Sequence, residues 1–525
     1  MDDFPWLSVL IAVPAVGALL VSLLPRAQER LVKTVALGVT VLVALLTFVM
    51  AAGFDTGGRR FQFDETYDWI PAFGVHWAVG VDGVALTLIL MSVILVPLVV
   101  LASWNEAERF GGVMAGGDAG PGEGAAEAMP SRSVKGYFAL ILALEAMMIG
   151  VFAATDVFLF YVFFEAMLIP VYFLIGYYGG PQRSYAAVKF LLYSLFGGLL
   201  MLVAVIALYV EGPGSFLLED LTGLQLDEAT AKWLFLGFFV AFAIKAPMVP
   251  LHTWLPDAAG QAPAGALVLI VGVLDKVGTY GMMRFCLELF PGAATWAAPV
   301  VLTFAVISII YGAVLAIGQV DLKRLVAYTS ISHFGFIVLG IFAMTSQGQS
   351  GAALYMVNHG FSTGALFLIV GFLIVRRRSA RVDAFGGVQK VAPLLAGAFL
   401  LAGLSGLSLP GLAPFVSEFL VLVGTFSRYE VAAVIASLGI VLAAVYILWM
   451  YQRTMNGPTA EAVQGMKDLS RRELAAIAPI LAIIVALGFF PKPVLDVIDP
   501  SVEHTLSRVE KTDPAPTVAE KGAHP

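Results

Sequence analysis

The sequence predicts an all-α polytopic membrane protein, and three observations carry that prediction. Of its 525 residues 59% are hydrophobic and only 13% are charged, with a mean hydropathy of +0.90, a balance that leaves no room for a sizeable soluble domain. The apolar residues are gathered into runs of about 20, the length a helix needs to cross a bilayer. The basic residues are gathered between the runs, with a strong bias to one side.

Fourteen such windows follow one another: 4 to 24, 31 to 53, 82 to 103, 135 to 153, 157 to 178, 184 to 210, 232 to 256, 262 to 287, 295 to 317, 321 to 344, 350 to 376, 392 to 424, 430 to 454 and 473 to 490. The chain opens MDDFPWLSVL, acidic where a signal peptide is basic, and its apolar run continues to Leu24, so the first window is expected to be a retained helix. RRFQFDETYDWIPAFGVHWAVGVDG, from Arg59, alternates enough to predict a short external hairpin over the helix ends. GGVMAGGDAGPGEGAAEAMP, from Gly111, reads as a flexible cytoplasmic loop, and the polar tail after Pro500 as a segment that docks on a partner or stays mobile.

Two windows are expected to be broken. The seventh contains Pro247 and Pro250, each of which removes a helical hydrogen bond, and the overlong twelfth contains Pro410, Gly411 and Pro414. If windows four to eight and nine to thirteen are two five-helix units, the odd count makes them inverted repeats, and broken helices 7 and 12 stand fourth in each. The organisation is then helices one to three with the hairpin and loop (1–134), a translocating core (135–454), and a last helix with a polar tail (455–525).

Orientation follows from charge. With the N-terminus outside, 18 of the 30 basic residues, among them Arg26, Arg132, Lys323 and Arg376 to Arg378, fall in or beside cytoplasmic loops; both termini are therefore expected on the outer side. Cys286 is the single cysteine, which excludes an iron–sulfur cluster, an internal disulfide and a thiol-rich zinc site. No phosphate-binding glycine motif, His-Glu-x-x-His helix or basic aromatic patch occurs, so neither nucleotide, metal nor nucleic acid is an expected ligand.

The chemistry lies in ionisable residues inside the spans: Glu145, Glu165, Lys189, Lys245, Asp275, Lys276, His333, His359 and Glu418. An ammonium at bilayer depth costs about 3 kcal/mol even on lenient scales, and a series of such groups joined by water is a proton relay. Each has a plainer reading. Lys189 lies near its helix start and can snorkel, Glu145 can tie two helices together, Asp275 points about 100° from Lys276 on an ideal helix, and His333 and His359 can serve as bonded core histidines. Glu165, Lys245, Lys276 and Glu418 resist a purely structural reading.

KAPMVPLHTWLPDA from Lys245, DKVGTYG from Asp275, FFEAMLIPVYFLIGYYG from Phe163, ISHFGF from Ile331, NHGFSTGALF from Asn358 and LPGLAPFVSEFLVL from Leu409 resemble the antiporter-like subunits of respiratory complex I, most closely their M branch. The resemblance covers essentially the whole chain. It implies fourteen helices in the membrane arm of a proton-pumping NADH:quinone oxidoreductase of the bacterial plasma membrane. NADH, FMN, iron–sulfur clusters and quinone would be bound by other subunits, none by this chain, and the sister subunits L and N would be neighbours. It also implies Glu165 and Lys245 as a carboxylate–lysine pair, Lys276 as the central relay, His333 and His359 as bridging groups and Glu418 as the terminal site. The rival readings are a subunit of a multisubunit sodium/proton antiporter, which resembles subunits L and N in having lysine where this chain has Glu418, and membrane-arm scaffolding with a dead channel. The chain departs from the family pattern at Ala259, where His is usual, at Ser417, where Gly is usual, and at Asp275, where the residue is commonly apolar.

Overall fold

The computed structural model describes residues 4–105 and 132–515; the glycine-rich stretch from Gly111 lies outside them. Helices α1 (Trp6–Leu23) and α2 (Glu29–Ala51) lead into an antiparallel hairpin of β1 (Gln62–Ile70) and β2 (Val75–Val81). The hairpin does more than cover helix ends. No side chain caps α1 locally at Pro5; instead the Glu65 carboxylate accepts from Leu7 N at 2.8 Å and Ser8 N at 3.2 Å, supplying the acceptors that the first turn of a helix lacks.

Helix α3 (Gly83–Ala102), capped by Asp82, precedes the undescribed segment, and α4 (Val134–Ala153) follows it. The fifth window divides after Ala166 into α5 (Val157–Ala166) and α6 (Leu168–Gly176). Then come α7 (Arg183–Glu211), the single turn α8 (Leu218–Leu221), α9 (Glu228–Lys245) and α10 (Trp254–Gln261). The eighth window is composite: α11 (Ala264–Leu269), a π-helical segment Ile270–Leu274, α12 (Lys276–Gly281) and a second π-helical segment Met282–Leu287. The second unit comprises α13 (Pro291–Ile317), α14 (Leu322–Ala343), α15 (Ser346–Arg377), α16 (Pro393–Gly406), α17 (Ala413–Phe426) and α18 (Glu430–Met455); α19 (Arg471–Phe489) and α20 (Lys492–Val509) close the chain.

Twelve helices among the described residues are long and apolar enough to cross a membrane, or up to thirteen if the bent pair at Val382–Lys390 and Pro393–Gly406 is one span. This is fewer than the fourteen expected, and the shortfall lies in the interrupted windows. Window seven is divided between α9 and α10, and α9 carries Glu228, Lys232 and Lys245 within its 18 residues; window twelve is divided between α16 and α17, each of 14 residues. Both breaks stand fourth in their five-window units. The units begin on opposite faces: α4 starts where Lys135 Nζ donates to Ser22 O at the end of α1, whereas α13 starts just after Glu288, which Arg60 binds beside the hairpin.

Burial orders the layers. The spans Ala264–Leu287, Leu322–Ala343 and Ser346–Arg377 are 94–100% buried, against 33% for α1, α2 and α18, so the composite eighth helix, α14 and α15 form the interior and α1, α2 and α18 lie at the periphery. Over its described part the tail after Pro500 is not a free end: α20 lies on its own chain. Ser501 Oγ accepts from Gly83 N at 3.0 Å and Thr505 Oγ1 donates to Glu288 at 2.9 Å. Beneath it sits a charged cluster in which Arg284 pairs with Asp82 at 2.6 Å and Arg60 with Glu288 at 2.6 Å.

Candidate functional site

Window seven breaks directly after Lys245. Pro247 and Pro250 cannot donate, so carbonyls near the break need other partners; Trp254 Nε1 takes Ile244 O at 2.8 Å, and Ser308 Oγ of α13 accepts from Val249 N at 3.0 Å. The broken end is thereby fixed, with Lys245 as the last residue of α9 and fully buried. Its Nζ has no hydrogen-bond partner among the described residues and stands 5.0 Å from the centre of the Phe164 ring and 5.3 Å from that of Phe190, a geometry in which ring faces attract a desolvated cation.

Glu165 occupies the last turn of α5 and rests on Gly198 of α7, where an added Cβ would come 1.7 Å from Oε1; only glycine leaves room for the carboxylate. The expected carboxylate–lysine pair is thus looser than an ion pair. Glu165 and Lys245 interact electrostatically but form no contact within 4.0 Å, because aromatic rings, Phe164 among them, surround the ammonium.

Beyond this point the side chains form a connected series. Lys276 stands just after the first π-helical segment; its Nζ donates to Val271 O of that segment at 2.5 Å and meets His359 Nδ1 of α15 at 2.6 Å. His359 Nε2 is 3.0 Å from Ser330 Oγ, and its ring lies 5.4 Å from that of His333 in α14. His333 Nδ1 is 2.6 Å from Tyr355 Oη, which donates to Glu418 Oε2 at 2.8 Å. Ser408 Oγ, in the break between α16 and α17, donates to the same oxygen at 2.6 Å. Ser408 holds φ at 58°, a left-handed conformation that costs a side-chain-bearing residue about 1–3 kcal/mol, and in it the hydroxyl reaches Glu418. Every contact from Lys276 to Glu418 is a hydrogen bond except the step between the two imidazoles.

The weaker candidates separate. Lys189 Nζ donates to Asp257 Oδ2 at 2.7 Å and Arg324 holds the other oxygen at 2.8 Å; this partly exposed bridge stands apart from the series. Glu145 is fully buried in α4, with neither oxygen hydrogen-bonded among the described residues. Asp275 is likewise buried and unpartnered. Sequence reasoning missed Tyr355, Ser330 and Ser408. Tyr355 had a signal, four residues before His359 and so on the same helix face; Ser408 had none, since its place depends on the fold of the break. Among the described residues no cluster of three or more His, Cys, Asp or Glu is arranged to hold a metal.

Residues 154–443 match the family model described as NADH:quinone oxidoreductase/Mrp antiporter, TM. The chain is 52% identical to NADH-quinone oxidoreductase subunit M of Mycobacterium tuberculosis, over 99% of this chain and 97% of that protein. Among solved structures it is similar to a chain of respiratory complex I from Thermus thermophilus with bound NADH, with a TM-score of 0.85, 32% identity and coverage of 96% of this chain and 99% of that one. A chain of the Mrp complex from Dietzia sp. DQ12-45-1b shares the fold, with a TM-score of 0.80 at 20% identity over 96% and 99% of the two chains.

Proposed function

Since the chain belongs to the NADH:quinone oxidoreductase/Mrp antiporter membrane family, and within it to the subunit M branch of NADH-quinone oxidoreductase, we propose that it conducts protons across the membrane through Glu165, Lys245, Lys276, His359, His333, Tyr355 and Glu418. The observation that carries this reading is the series of side-chain contacts from Lys276 to Glu418, each between groups able to give and take a proton. A proton on Lys276 passes to His359 Nδ1, an N–H bond breaking on the amine as one forms on the imidazole. Once that proton has crossed from His359 to His333 Nε2, His333 Nδ1–H passes its proton to Tyr355 Oη while Tyr355 passes its own to Glu418, and His333 is left a neutral imidazole. A change of charge on Glu165 sets the proton affinity of Lys245 through space, which couples entry into the path to events in a neighbouring subunit.

In this reading NADH oxidation by FMN and iron–sulfur clusters, and quinone reduction, take place in other subunits. Subunits L and N are neighbours in a bacterial plasma membrane, and both termini face outward. The bias of basic loops and the position of the start of α1 and of α20 beside the hairpin support that orientation. The sodium/proton antiporter reading has less support, because likeness to the Mrp complex is one of fold alone. The test is NADH-driven proton uptake by liposomes containing the whole complex. Lys276→Ala and His359→Ala are expected to abolish most uptake while NADH oxidation by an artificial acceptor continues, and unchanged uptake in both would reject the path.

A further inference from the structure

Asp275 and Lys276 are consecutive residues whose side chains diverge by about 100° on an ideal helix. Lys276 reaches α15 at His359 and sits 5.1 Å from the centre of the Phe334 ring of α14. Asp275 lies one turn before Gly278, on the same side of the helix. Gly278 is where α12 meets the broken end of α9: a Cβ there would come within 2.5 Å of both Ala246 N and Phe242 O. The side of the helix that carries Asp275 is therefore the side that meets the residue following Lys245.

Both groups at this seam are fully buried, and neither Asp275 oxygen nor Lys245 Nζ has a hydrogen-bond partner among the described residues. A buried charge without a partner is expensive, and here an acid and a base without hydrogen-bond partners among the described residues lie near one seam. Asp275 acts electrostatically on both Lys245 and Lys276. The hydrogen-bonded series begins only at Lys276, and Asp275 is a buried ionisable group that acts on the lysines at both ends of the step from Lys245 to Lys276.

We propose that Asp275 is the junction of the proton path, taking the proton released by Lys245 at the end of α9 and giving it to Lys276, its neighbour in the chain. This rests on the path of the preceding section. An N–H bond of the Lys245 ammonium breaks as an O–H bond forms on the Asp275 carboxylate; that O–H bond then breaks as an N–H bond forms on the Lys276 amine. The three groups carry zero net charge before, during and after the transfer. The same proton moving between two lysines alone would leave a bare positive charge inside the membrane throughout.

The experiment compares Asp275→Asn and Asp275→Glu with Lys276→Ala and Glu418→Gln in the assembled complex, reading NADH-driven proton uptake and the content of intact complex. Asp275→Asn is expected to lower uptake about tenfold or more, the scale of a lost proton-transfer group, and Asp275→Glu to recover much of it. If Asp275→Asn does not assemble, Asp275→Leu takes its place, since leucine leaves no unpaired polar group in the seam. Normal uptake by Asp275→Asn or Asp275→Leu, with Lys276→Ala and Glu418→Gln both defective, overturns the junction and leaves the path standing. Normal uptake in all of them overturns the path and the junction together.

Discussion

Tyr355 donates its hydroxyl hydrogen to Glu418 Oε2 across 2.8 Å. The same hydroxyl stands 2.6 Å from His333 Nδ1, so it can accept from an imidazole and donate to a carboxylate in one concerted shift. Tyr355→Phe preserves the ring that packs against His333 and Phe336 while removing both hydrogen bonds. A hydrogen bond to a charged group contributes about 1.5–3 kcal/mol, and proton uptake is expected to fall by about tenfold or more on that scale, with assembly retained. Wild-type uptake by an intact Tyr355→Phe complex would remove the hydroxyl from the path.

The contrast between Tyr355 and Lys245 shows what could be read from the chain. Lys245, Lys276 and the two breaks stood out because charge and proline inside an apolar run are costly whatever surrounds them. Tyr355 had only its spacing from His359 to mark it, because a tyrosine is at home in any membrane helix, and the crossing of α14, α15 and α17 is what gives it a histidine on one side and a glutamate on the other. The π-helical segments flanking α12 left no mark either; they arise where packing against neighbours outweighs the regular hydrogen-bond ladder. The helical order of the tail went unread for a different reason. Its mean hydropathy is low, yet Ile498, Val502, Thr505 and Val509 recur at helical spacing and are buried, a stripe that predicts a docked amphipathic helix.

Two lysines that look alike in sequence are expected to behave differently. Lys245→Ala removes a fully buried ammonium held only by ring faces and by the fields of Glu165 and Asp275, so uptake is expected to be nearly lost. Lys189→Ala leaves Asp257 still bound by Arg324 at 2.8 Å; a partly exposed pair of this kind contributes about 0–1 kcal/mol, and most uptake is expected to survive. Equal loss in the two variants, measured at equal content of assembled complex, would place Lys189 in the path.

The docking of α20 is expected to weaken in acid. His504 Nε2 lies 2.7 Å from Arg60 Nη1, and since a guanidinium only donates, the imidazole must be neutral there. Burial and the Arg60 guanidinium, aided by Arg508 and Arg284, hold its pKa below the ordinary 6.5, with Glu288 opposing them. A depressed histidine favours the docked state fully above its free value; the contribution is lost as pH falls below about 6.5 and through the lower docked value. Amide hydrogen exchange of residues 492–509, corrected for its intrinsic pH dependence, should therefore quicken between about pH 7.5 and 5.5. His504→Gln should flatten that change, and an equal response in both proteins would exclude the histidine as its cause.

Glu418 decides whether the far end of the path needs a proton carrier or only a polar anchor. It is buried, and Oε2 receives two donors, Tyr355 and Ser408. Glu418→Gln keeps the length and an oxygen that can accept from both, but it cannot ionise, so the intact complex is expected to fail in proton uptake. Glu418→Asp draws the carboxylate back by one methylene, about 1.5 Å on ordinary bond lengths, and a bridging water can restore the contact; partial uptake is expected. Glu418→Lys is the sharper substitution. An ammonium has three donors and no acceptor, so Tyr355 and Ser408 must both reverse, and Tyr355 could no longer donate toward this site while accepting from His333. Loss of uptake is expected, and near-normal uptake by an assembled Glu418→Lys complex would show that the site asks only for a protonatable group. Normal uptake by assembled Glu418→Gln would take Glu418 out of the proton path altogether, leaving it the role of holding α15 against the second break.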